Sequence, residues 1–85
     1  MTHSELKRFF KDNSKVKGVL TSGEVATIMS ELPSMKLEMD RDSQEYYYTI
    51  PMEDLKGVKN ERFINDLKTL GFYVSDDDNF LCLTI

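Results

Sequence analysis

The chain predicts an α+β fold with the order α-α-β-β-α-β-β: a largely antiparallel four-stranded sheet with helices packed on one face. Three observations carry that prediction. Two segments pair a helix-start signature with apolar residues at helical spacing, at Thr2–Glu5 and at Thr21–Glu24. The stretch from Met35 to Ile50 switches to a period of two. The stretch from Asn60 onward runs helix, glycine stop, strand, turn and strand without a spare residue.

Each element has a local cause. In Thr2–Glu5 a threonine hydroxyl and a glutamate three residues later can each satisfy an orphaned N–H at a helix start. A helix from about His3 to Asp12 should follow, with Leu6, Phe9 and Phe10 as its apolar stripe and Lys7, Arg8 and Lys11 facing water. Asn13 and Ser14 break it, and Lys15 to Leu20, containing Gly18, reads as a loop. The same capping box recurs at Thr21, and Val25, Ile28, Met29 and Leu32 then fall on one helical face. Pro33 must end this helix, because proline lacks an N–H and disfavours helical geometry in the residue before it.

Met35, Leu37 and Met39 alternate with Lys36, Glu38 and Asp40, the pattern of a strand with one buried side. Arg41, Asp42, Ser43 and Gln44 form a polar turn. Glu45 to Ile50 places Tyr46, Tyr48 and Ile50 on one face and Tyr47 and Thr49 on the other, completing a hairpin that Pro51 ends. Pro51 to Val58 should be a turn or a single helical turn, with Met52 and Leu55 inward and Gly57 reversing the chain. Asn60 can cap the next helix, which buries Phe63, Ile64, Leu67 and Leu70 and stops at Gly71 in a left-handed conformation. Phe72 to Val74 and Phe80 to Ile85 then pair across the turn-forming SDDDN.

Eighty-five residues, 40% of them hydrophobic, make one domain spanning residues 1–85, near the lower size limit for a single core. One cysteine, Cys82, cannot form an internal disulfide, and the chain begins with no apolar signal-like run, so a cytoplasmic setting is expected. No run of about 18 apolar residues could span a membrane.

The net charge of -4 hides an asymmetry. Residues 1–18 carry five bases against two acids, while the remainder carries six bases against thirteen acids. A basic head on an acidic body is either an ordinary solvated helix or a hint of a charged partner.

Counting excludes most chemistry. Structural zinc needs four Cys or His ligands, and the chain has His3 and Cys82 alone. Asp40 and Asp42 open a calcium-like spacing, but Gln44, Glu45 and Pro51 occupy positions where a calcium loop needs a ligand, a glycine and a bidentate glutamate. Adjacent Asp76, Asp77 and Asp78 point in different directions in regular backbone, so a hairpin tip that resists edge pairing is a better reading than a magnesium site. Cys82 falls in a β-rich run where a buried thiol is inert, His3 is remote as a base, and the four glycines make no phosphate loop. No enzyme activity and no cofactor are expected.

Two surfaces could bind. The helix and hairpin after Asn60 resemble the recognition helix and wing of winged-helix DNA-binding domains, in topology and over roughly the last third of the chain. That resemblance would imply DNA contact through the helix. The pattern departs from the family because a hairpin precedes the helix, Glu61 and Asp66 share its exposed side with Arg62 and Lys68, and three aspartates would press on phosphate. DNA is therefore not the expected partner. The basic first segment, Lys7, Arg8, Lys11, Lys15 and Lys17, could instead contact RNA phosphates, with Tyr47 or Tyr73 as stacking faces. The plainer alternative is that the tyrosines pack on both sides of their strand.

The reading favoured by the residues is a protein-binding module. If helices cover one sheet face, the other carries Tyr47, Thr49 and Tyr73, with Phe80, Cys82 and Thr84 nearby and Lys36 and Glu38 at its margin. Tyrosine mixed with small polar groups suits a protein interface. The tip of Asp76, Asp77 and Asp78, together with the Glu38, Asp40 and Asp42 turn, would steer a basic or nucleic-acid-acting protein toward it. In composition the chain resembles the small acidic accessory proteins with which phages and mobile elements inhibit host enzymes, a likeness that assigns no residue. A homodimer without a separate ligand is the third expectation.

Overall fold

The two hairpins join through their second strands. A computed structural model describes residues 1–13 and 18–85, so Ser14, Lys15 and Lys17 lie outside the described residues, as does the first half of the loop expected from Lys15 to Leu20. The elements are α1 (His3–Phe10), α2 (Ser22–Glu31), β1 (Lys36–Met39), β2 (Tyr46–Pro51), a single-turn α3 (Met52–Leu55), α4 (Glu61–Leu70), β3 (Tyr73–Val74) and β4 (Phe80–Thr84). The sheet order is β1-β2-β4-β3, and every neighbouring pair is antiparallel. Sequence spacing had no means of stating that order, which places β4 beside β2 in the centre.

Local signals form the helix ends. Thr2 and Thr21 each complete a capping box with Glu5 and Glu24. Hydrogen bonding from the Thr2 N–H and hydroxyl holds the Glu5 carboxyl below the usual glutamate value. Asn60 Oδ1 accepts from the Arg62 and Phe63 N–H groups, and Gly71 ends α4 at φ 105°, in the left-handed region. α1 stops at Phe10, two residues before the expected end. Asn13 has a tertiary role there: its Nδ2 donates to the carbonyls of Lys68 at 3.0 Å and Phe72 at 2.6 Å, tying the exit of α1 to the end of α4.

Alternation along the paired strands assigns the faces. Ile50, Leu81 and Leu83, with Tyr48 and Val74 beside them, join Leu6, Phe10 and the buried residues of α2, α3 and α4 in one core. Leu67, Leu6, Phe72 and Leu55 are fully buried at its centre.

Two expectations about burial require correction. β1 was expected to bury one side, but all four of its residues are exposed, and Met35 is buried ahead of the strand. β1 lies at the sheet edge, whereas α3 packs on β2 and α1 on β3. On α2, Ile28 and Leu32 are buried and Val25 is partly so, but Met29 is 42% exposed, because a narrower arc of the helix meets the core.

Candidate binding face

The face turned away from the helices is built in rows by the strand register. Lys36, Thr49, Cys82 and Tyr73 form one row across the four strands, and Glu38, Tyr47 and Thr84 form the next. Small side chains floor the centre: Thr84 is 2% and Cys82 6% exposed. The tyrosines flank them. The Tyr73 hydroxyl lies 2.8 Å from Thr84 Oγ1, and the Tyr47 hydroxyl donates to Glu38 Oε2 at 3.4 Å.

Tyr47 and Tyr73, expected to share a face, therefore meet on either side of Thr84. With Asp40 and Glu45 they line a hollow of about 110 Å³. Asp40 was expected to act as a steering charge of the hairpin turn, and Glu45 was missing from the expected site, although a signal placed both on this face. Asp40 continues the Lys36, Glu38 alternation, and Glu45 continues that of Tyr47 and Thr49. The Asp40 N–H donates to the Glu45 carbonyl at 2.8 Å and fixes both at the hairpin end. Desolvation of the Tyr47 hydroxyl, and next the negative charge of Glu38, push its pKa above the usual tyrosine value. The hollow thus presents carboxylates and aromatic rings, a combination that attracts a guanidinium or ammonium group.

The aspartates stand elsewhere. They follow β3 at the Phe80 end of β4, while Tyr47 lies opposite Thr84, four residues or about 13 Å along the strand. They also differ among themselves. Asp77 Oδ1 accepts from the Ser75 hydroxyl at 2.6 Å and from the Asn79 N–H at 3.0 Å, and these bonds, the Ser75 one first, hold its carboxyl below the usual aspartate value. Asp78 has φ 62° and forms an ion pair with Lys7. Asp76 is exposed. The tip is a folded turn that uses two of its three carboxylates internally.

The basic surface is reduced by the same contact. Lys7 is committed to Asp78, Arg8 and Lys11 are exposed, and Lys15 and Lys17 lie outside the described residues. On α4, Lys68 sits 4.7 Å from the centre of the Phe9 ring and 3.9 Å from Asp12 Oδ2, so it too is engaged within the chain.

Between α2 and α4 runs a groove of about 540 Å³, floored by Ile28, Phe63, Leu67 and Leu70 and edged by Glu24 and Asp66. Among the described residues, no three His, Cys, Asp or Glu side chains are placed to hold a metal ion, and no helix is long and apolar enough to cross a membrane.

The described residues thus form a small α+β domain with helices packed on one face of the sheet and none of the described helices on the other. Comparison with family models, with curated proteins and with solved structures found no match.

Proposed function

We propose that this chain is a non-catalytic protein-binding module whose open sheet face receives a basic side chain of its partner. The observation that supports this reading most is the hollow in which Tyr47 and Tyr73 meet over Thr84 beside Asp40 and Glu45. An arginine or lysine entering there would face aromatic rings and two carboxylates, with Glu38 close by at the Tyr47 hydroxyl. The surrounding acidity of the chain would raise the rate of encounter with a basic surface. A nucleic-acid-acting protein carries such a surface where it meets phosphate, so covering it would make this chain a stoichiometric inhibitor or regulator. A cytoplasmic setting belongs to the same proposal.

The test is affinity capture and binding with wild-type chain, Tyr47→Ala and Glu45→Lys. Loss of a central aromatic anchor should weaken binding by about 2 kcal/mol or more. Glu45→Lys should slow association most at low salt. A partner bound equally by all three chains would overturn the assignment of this face.

A further inference from the structure

The sheet ends at β1, and the ladder shows which of its backbone groups face outward. The Asp40 N–H donates to the Glu45 carbonyl, and bonded and non-bonded pairs alternate along an antiparallel ladder. Lys36 and Glu38 therefore bond with Thr49 and Tyr47, while Leu37 and Met39 turn their N–H and C=O groups toward the open edge. A second bond agrees. The Ile85 N–H donates to the Tyr46 carbonyl at 3.0 Å, which commits the backbone opposite Met39 to the β4 side.

Side chains accompany this edge. Leu37 is 52%, Met39 48% and Tyr46 51% exposed, all on the helix side of the sheet but beyond the helices. Lys36 and Glu38 stand on the other side, two residues apart. An outward ladder beside exposed apolar side chains is a template for another strand.

We infer that β1 pairs antiparallel with β1 of a second copy about a two-fold axis at Leu37, making one continuous sheet through both copies. Directly opposed residues share a face, so an axis perpendicular to the sheet must pass through a residue facing its own counterpart. With the axis at Leu37, Lys36 of each copy faces Glu38 of the other on the open side, while Leu37 meets Leu37 on the helix side. The neighbouring registers fail. An axis at Lys36 sets lysine against lysine, one at Glu38 sets glutamate against glutamate, and one at Met39 sets Glu38 against Asp40. Among these registers, charge complementarity and the outward bonding groups agree at Leu37 alone. The occupant of the edge is therefore a second copy, and this interface borders the Tyr47 and Tyr73 hollow at Glu38, which accepts from the Tyr47 hydroxyl.

The experiment is sedimentation equilibrium on the full chain, wild type against K36E, E38K and the double variant K36E/E38K. The wild type is expected to reach twice the 9.9 kDa chain mass. Each single variant makes two like-charge contacts and should weaken association by roughly tenfold, and the double variant, which restores unlike pairs, should regain it. Both positions are exposed, so folding tolerates the changes, and circular dichroism verifies it. Concentration-dependent protection of the Leu37 and Met39 amides should accompany dimer formation. A monomer at the highest attainable concentration would overturn the inference. So would a dimer indifferent to both single changes, or one that the double variant fails to restore.

Discussion

Lys7 Nζ lies 2.9 Å from Asp78 Oδ2, so the basic first helix and the acidic turn between β3 and β4, seventy-one residues apart, neutralise each other in part. The two charge clusters that the sequence offered as rival binding surfaces are joined by one intramolecular contact, between Lys7 and Asp78.

Both side chains of that pair are about half exposed, so its contribution to stability is small. Lys7→Ala should cost less than about 1 kcal/mol and lose even that at high salt. Asp78 is held at φ 62°, which asparagine and glycine tolerate and a β-branched residue does not. Asp78→Asn should therefore resemble Lys7→Ala, whereas Asp78→Val should cost about 1–3 kcal/mol. Urea denaturation midpoints separate the two effects.

Asp77 should titrate below an ordinary aspartate, because its charged form accepts from Ser75 and Asn79. A depressed folded pKa means that the carboxylate contributes stability above the unfolded value and loses it as pH falls through the folded one. NMR titration of the Asp77 carboxyl carbon should show the depressed midpoint, and Ser75→Ala should move it upward. An unchanged midpoint in Ser75→Ala would contradict the bonding seen in the turn.

Gly71→Ala should destabilise by about 1 kcal/mol or more through backbone conformation, since φ 105° is disfavoured for alanine. Crowding contributes little there: an added Cβ would lie 3.5 Å from Leu83 Cδ1, an ordinary contact. At the other end of α4, Asn60→Ala removes the acceptor for two N–H groups and should cost about 1 kcal/mol. Thermal melts of each variant measure both.

Leu67→Ala should cost about 2–5 kcal/mol, because Leu67 is fully buried in the single core. A small domain has only about 5–15 kcal/mol to lose, so this variant should be partly unfolded at moderate temperature. Met29→Ala, on the exposed side of α2, should stay within about 0.5 kcal/mol of wild type. Equal losses at the two positions would mean that α2 buries a wider face than described.

The amino-acid sequence by itself determined the order of elements, because each boundary rests on contacts a few residues apart. Thr2 with Glu5, Thr21 with Glu24, Asn60 with Arg62 and Phe63, and Gly71 after α4 act as their residue types require. Period-two alternation likewise placed Tyr47 and Tyr73 on a common face, since each strand carries that pattern in its own residues.

The tertiary structure decided what alternation cannot contain: which strands are neighbours and where the helices end their cover. Leu37 and Met39 have the pattern of buried residues, yet they are exposed, because burial depends on a strand's rank in the sheet and β1 is at the edge. Asp76, Asp77 and Asp78 are identical as letters. They differ in the fold because a left-handed turn aims one at Lys7, folds one onto Ser75 and leaves one exposed.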